Sequence, residues 1–172
     1  HLKQEETKLR LSAEAYVGSC PVRVGDVVSF PTWQMHSLQH GVRVIEFQTP
    51  HYERMIVMFG QKVLTQDHWN TEEALAGMKP EVYQPPQPEL IWQRDGVCCE
   101  RVVNFPDFDA FRLSIHAGKR IRLEGKGNYQ LLMGVEGYGQ LLVGGESCGT
   151  VRHEEGWMIP AAVSYTHLRA HE

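Results

Sequence analysis

The sequence has no run of about 18 apolar residues and no apolar, signal-type core near its start. Neither a membrane span nor an export signal is read from it, and the expected location is the cytoplasm. Positive charge is not in excess: the formal net charge is −4, with a pI near 6.1. That average field attracts neither nucleic acid nor an anionic membrane surface, so both are excluded as general partners. Cysteine is scarce, with four residues, Cys20, Cys98, Cys99 and Cys148. None has CxxC spacing, and the adjacent Cys98 and Cys99 would make a strained disulfide, so reduced structural thiols are expected. Helix signals are few as well. Asn70 as a cap with Glu73 three positions on predicts a helix over Glu72 to Met78, ended near Gly77 and Pro80, and no other segment carries so clear a pattern.

What the chain does have is strand and turn chemistry. Its 172 residues are 42% apolar and can bury one sizeable core or two small ones. Thr7 to Ser12 alternates and predicts a strand with Leu9 and Leu11 inward, and Pro21 to Val24 reads as another. Gly25-Asp26 is a turn signal, Val27 to Phe30 a β-branched and aromatic run, and Pro31 stops ladder hydrogen bonding so that the chain can leave a sheet. Val42 to Phe47 alternates again, impurely, as in a strand touching protein on both faces. Pro85, Pro86 and Pro88 favour extended structure and mark a linker. Beyond them, strands are predicted at Cys99 to Val103, Phe111 to His116, Arg120 to Leu123, Tyr129 to Val135, Gln140 to Val143 and Trp157 to Ala162, punctuated by glycines at barrel-like intervals. Val163 to Glu172 drops this pattern and reads as a tail.

The spacing Gly25, Pro31, His36 resembles the second conserved motif of the cupin barrel, in which the histidine is a metal ligand at the barrel mouth. Two positions depart from it: Trp33 stands where cupins usually have Gly, and His40 where many have Asn. The run Val44 to Arg54, containing Glu46-Phe47-Gln48 and Tyr52-Glu53-Arg54, is similar to the type I mannose-6-phosphate isomerases among the cupins. Gly134-Val135-Glu136-Gly137-Tyr138-Gly139 resembles the turn closing the first cupin motif. Counting from these motifs puts Gln130 and Tyr165 where a second barrel would carry ligands, so a second, metal-free lobe with a supporting role is expected.

The resemblance implies an all-β fold of cupin-like (jelly-roll) β-barrel lobes, two in tandem, the first incomplete, with one short linking helix. The expected organisation is 1–60 as the C-terminal part of a barrel carrying the site motif, 61–90 as helix and Pro-rich linker, 91–163 as the metal-free lobe and 164–172 as a non-native tail. It further implies metal-dependent aldose–ketose isomerisation of a phosphosugar, mannose 6-phosphate to fructose 6-phosphate, with the chain a fragment whose other ligands lie upstream. His36 would hold zinc or another divalent metal and Arg54 would be the catalytic arginine, while Glu46, Gln48 and Tyr52 would bind substrate. The alternatives residue by residue are a surface loop histidine, a solvated rim arginine and ordinary polar positions. At the level of the whole chain, the alternative is a cupin that binds a sugar or nucleotide-sugar without turning it over.

Overall fold

The computed structural model describes residues 1–49, 55, 57, 71–81 and 84–171. The chain forms two compact units, His1–Pro85 and Pro86–Glu172, and none of its described helices is long and apolar enough to cross a membrane. The described residues hold two helices and nine strands, every strand pair antiparallel, so the all-β class holds.

In the first unit, α1 spans Leu2–Glu14 and α2 spans Thr71–Gly77. Helix α2 is the one expected from the capping pattern. Helix α1 corrects the strand expected over Thr7 to Ser12: Leu9 and Leu11 are exposed, and the helix buries none of its residues. Its Glu, Lys, Leu, Arg and Ala residues are good helix formers, and Arg10 pairs with Glu6 one turn back at 2.7 Å. An alternating segment needs a neighbouring strand to satisfy its backbone, whereas a helix satisfies its own. Pro21 to Val24, Val27 to Phe30 and Val42 to Phe47 likewise form no strand. Their turns are nevertheless present. The Asp26 carboxylate accepts from the Arg23 backbone N–H at 2.8 Å, with Gly25 at φ 87.

The second unit is three antiparallel sheets. Strands β1 (Glu89–Arg94), β2 (Val97–Asn104) and β3 (Asp109–Ile115) pair in that order. Strand β5 (Gln130–Met133) pairs with β8 (Gly156–Ile159). The third sheet has the order β4 (Arg120–Glu124), β9 (Tyr165–Ala170), β6 (Tyr138–Val143), β7 (Glu146–Arg152). The β1–β2 hairpin turns on Asp95-Gly96, both with positive φ (49 and 76), the pairing a two-residue primed turn needs.

Strand β9 lies within 164–172, the stretch expected to be a tail. It sits between β4 and β6 and aligns Leu168 with Ile121 on one side and Leu141 on the other. These three join Val97, Val151 and Ile159 in one core to which all three sheets contribute. Ile121 is buried between exposed Arg120 and Arg122, the alternation expected of a sheet with one face in the core. Strand β7 was also not anticipated, nor was β1, of which only Glu89 and Leu90 fall within the expected linker. The β7 sequence, Glu146 to Arg152, has a single large apolar residue, Val151, and carries Gly149 because a Cβ there would lie 2.6 Å from the Trp157 ring.

All four cysteines are free thiols. Burial, with Cys98 alongside adding to it, pushes the Cys99 thiol above its ordinary pKa, against a smaller opposing effect of Lys126. Under native conditions at pH 8, exposed Cys20 and Cys148 should therefore alkylate well before buried Cys99, as mass spectrometry of time points would show. Thr166 is 1% exposed and its hydroxyl is the one buried side-chain group without a hydrogen-bond partner among the described residues. Thr166→Val keeps the shape and removes the orphan, so it should raise unfolding stability by about 1 kcal/mol in urea titrations. A loss of stability would show that the hydroxyl has a partner.

Candidate functional site

The segment from Gly25 to Gln48 is built of consecutive turns. After half-buried Val27 to Phe30, the Gln34 N–H donates to the Pro31 carbonyl at 3.0 Å and closes a turn. Trp33, inside it, has φ 70, a left-handed backbone that glycine adopts without cost and a tryptophan does not. Two contacts hold Trp33 there. Its carbonyl accepts from the Lys79 N–H at 3.1 Å, and its ring lies so close over Gly77 that a Cβ on Gly77 would come within 2.5 Å of it. The turn is thereby fastened to the C-terminal end of α2.

The same turn presents His36. Its Nδ1–H donates to the Gln34 carbonyl at 2.9 Å, and its ring stacks on Phe30 at 4.1 Å between centroids, with 9° between the planes. The bond fixes the tautomer and the stack fixes the ring, leaving Nε2 on an exposed side chain with no partner among the described residues. A metal-ligating histidine is held in the same way, one nitrogen on a carbonyl and the other on the metal. One imidazole falls short of the three or four ligands of a zinc centre, however. Among the described residues no three His, Cys, Asp or Glu side chains are grouped to hold a metal ion, so they do not by themselves fit a metal centre.

Glu46 and Gln48 are exposed and make no hydrogen bond or ion pair among the described residues. The structure does not bring them to His36. Tyr52 and Arg54 lie outside the described residues. In the second unit, Gln130 is half-buried and its amide donates weakly to the Glu124 carbonyl at 3.4 Å. Tyr165 lies beneath the Arg122 guanidinium, 4.2 Å from its ring centroid. Gly134 belongs to a tight crossing in which its N–H donates to the Glu155 carbonyl at 3.0 Å and its carbonyl accepts from the Glu154 N–H at 2.7 Å. A Cβ on Gly134 would lie 2.0 Å from the Arg152 carbonyl, so the motif-like glycine there has a steric reason.

One feature of the second unit was not read from the sequence. A shallow concavity of about 610 Å³ is lined by Gly137, Tyr138, Gln140, Thr150, Arg152 and His171 among others. Tyr138 and His171 stack at 5.2 Å with 12° between planes. The Gln140 amide donates to Thr150 at 3.0 Å, and its carbonyl oxygen accepts from the Ser147 hydroxyl at 2.9 Å. The available signal was the alternation Tyr138, Gln140 on β6. It became a surface only once β7 and β9 were placed beside it.

Gly77→Ala tests the fastening of the His36 turn. The added methyl has to displace the Trp33 ring, so the substitution should lower the stability of the first unit by about 1–3 kcal/mol and change tryptophan fluorescence. An unaltered unfolding midpoint and spectrum would mean that the ring does not rest on α2.

No protein-family model matches the chain, and no curated protein matches it. Among solved structures it is similar to the crystal structure of a cupin-2 domain containing protein from Shewanella frigidimarina NCIMB 400. That similarity has 17% sequence identity, covers 60% of this chain and 83% of that one, and has a TM-score of 0.29. No residue role is carried over from it.

Proposed function

We propose that this chain is a cupin-type module for a phosphorylated sugar. Its reaction in this reading is the metal-dependent aldose–ketose isomerisation that interconverts mannose 6-phosphate and fructose 6-phosphate in the cytoplasm. The observation that supports it is the presentation of His36, with Nδ1 bound to a backbone carbonyl, the ring stacked on Phe30 and the side chain exposed. Zinc or another divalent metal is part of the reading, with His36 as one of its ligands. Arg54 balances the negative charge that develops on the substrate oxygens as a proton moves between the first two carbons, and its planar fork suits two-point contact with such oxygens. Glu46, Gln48 and Tyr52 are the proposed substrate contacts, drawn from the sequence resemblance.

A second reading, binding of a sugar or nucleotide-sugar without turnover, is favoured by one specific observation. The described residues group no set of side chains able to hold a metal.

The test is formation of fructose 6-phosphate from mannose 6-phosphate by the full-length protein that carries this segment, supplied with Zn²⁺, alongside calorimetric titration of the sugar phosphate. His36→Ala is expected to abolish turnover. Arg54→Lys keeps the charge and loses the two-point geometry, so it should cut turnover by about a hundredfold with a smaller change in affinity. Arg54-dependent binding with no turnover under any divalent metal would replace the isomerase reading by the binding one. Absence of both would overturn each.

A further inference from the structure

Strand β1 lies at one edge of the β1-β2-β3 sheet, and among the described residues no strand pairs with its other side. Within it, Leu90 and Ile91 are 58% and 42% exposed. Such an edge presents backbone N–H and C=O groups that can template a further strand. The register against β2 shows what kind of strand fits. Glu89 stands opposite Arg101, Leu90 opposite Glu100, Trp92 opposite Cys99, Gln93 opposite Cys98 and Arg94 opposite Val97, with Ile91 the extra residue at which the register shifts. Arg101, Cys99 and Val97 alternate along one face of β2, so Glu89, Trp92 and Arg94 share that face, while Leu90 and Gln93 share the other. The Arg94 guanidinium accordingly lies over the Trp92 ring, 5.2 Å from its centroid.

The result is a self-complementary strand. Regular alternation would put Glu89 and Arg94 on opposite faces, and two copies could not then pair antiparallel about the midpoint with like faces together. The extra residue at Ile91 removes that obstacle. With a two-fold axis between Ile91 and Trp92, Glu89 of one copy meets Arg94 of the other and Leu90 meets Gln93, each pair matched in face. Charge agrees as well. Arg94 is exposed and makes no ion pair among the described residues. The exposed Glu89 carboxylate takes both of its bonds from Arg101 on Oε2, which leaves Oε1 for a second guanidinium. We infer that β1 pairs antiparallel with β1 of a second copy of this chain, joining the two three-stranded sheets into one, with reciprocal Glu89–Arg94 pairs at the ends of the seam. A contact of this two-fold kind closes on itself and uses up both edges. It involves β1 and β2 of the second unit alone and is independent of the isomerase and binding readings.

The inference is tested by sedimentation equilibrium of the full chain and its charge variants. The unmodified chain should be dimeric in the micromolar range. Arg94→Glu turns two attractive cross-strand pairs into two repulsive ones, and should raise the dimer dissociation constant at least about tenfold. Glu89→Arg should do the same. An equimolar mixture of these two variants restores both opposite-charge pairs and should form a one-to-one heterodimer, a recovery that misfolded chains could not show. Ile91→Lys places a charge at the centre of the seam without breaking an ion pair, and should also separate the copies. Glu146→Lys, on β7 of another sheet, should leave association unchanged. A register shift can also turn an edge strand away from partners. An unmodified chain that stays monomeric through the micromolar range is that outcome and overturns the inference. A dimer unaffected by both Arg94→Glu and Ile91→Lys would overturn it too, as would correctly folded charge variants that stay apart when mixed, or a loss with Glu146→Lys as large as that with Arg94→Glu.

Discussion

The second unit depends on the insertion of β9 between β4 and β6. That strand satisfies the backbone of two neighbours at once and places Leu168 in a row with Ile121 and Leu141, the centre of the core. Without it, β4 would have no partner in the sheet and β6 would keep only β7, while the apolar row between them would face water. The fit is close in the backbone: the Gly125 N–H donates to the Ser164 carbonyl at 2.7 Å, and a Cβ on Gly125 would lie 2.1 Å from the Val163 carbonyl. It is imperfect in one side chain, since the Thr166 hydroxyl is carried into the core with nothing to bond. A buried hydroxyl left unpaired costs more than the hydrogen bond it fails to make would have contributed.

Register has a second consequence on the outer face. Once Leu168 is aligned with Ile121 and Leu141, period-two alternation leaves no choice about Arg120, Arg169 and Gln140, which must share a row toward solvent. The repulsion between the two arginines is thus a by-product of the apolar alignment on the other face. It is small compared with the burial of three aliphatic side chains, each contributing about 1.5–3 kcal/mol. The core decides the register, and the charged row is what that register leaves on the outer face.

In the first unit the organising constraint is conformational. A left-handed residue between Pro31 and Gln34 is needed to turn the chain so that the Gln34 carbonyl faces the His36 ring. Glycine would do this at no cost. Trp33 does it under strain of the order of 1–3 kcal/mol, offset by the contact of its ring with Gly77 and the hydrogen bond from Lys79. The strained turn is therefore compensated locally, and the histidine is held by a carbonyl on one side and an aromatic ring on the other.

From sequence alone the all-β class, helix α2, the turns at Gly25 and Pro31 and six of the nine strands were legible, each from local chemistry: glycines and prolines as punctuation, alternation as strand, a capping pattern as helix. His36 was singled out only by the resemblance of its spacing after Gly25 and Pro31 to a known motif. Other features depended on partners far away in the chain. Thr7 to Ser12 alternates as well as any strand, yet becomes the exposed helix α1, because among the described residues no strand pairs with it and a helix satisfies its own backbone. Tyr165 to Ala170 reads as a tail because half of its residues are polar, and it becomes a central strand because β4 and β6 leave a slot whose hydrogen bonds and apolar row it completes. The juxtaposition of Arg120 with Arg169 follows from that pairing, since residues 49 positions apart in sequence meet only when a register brings them together. Local chemistry thus determined where the chain turns and which faces can be apolar, and the tertiary structure decided which strands meet and which polar residues they set side by side.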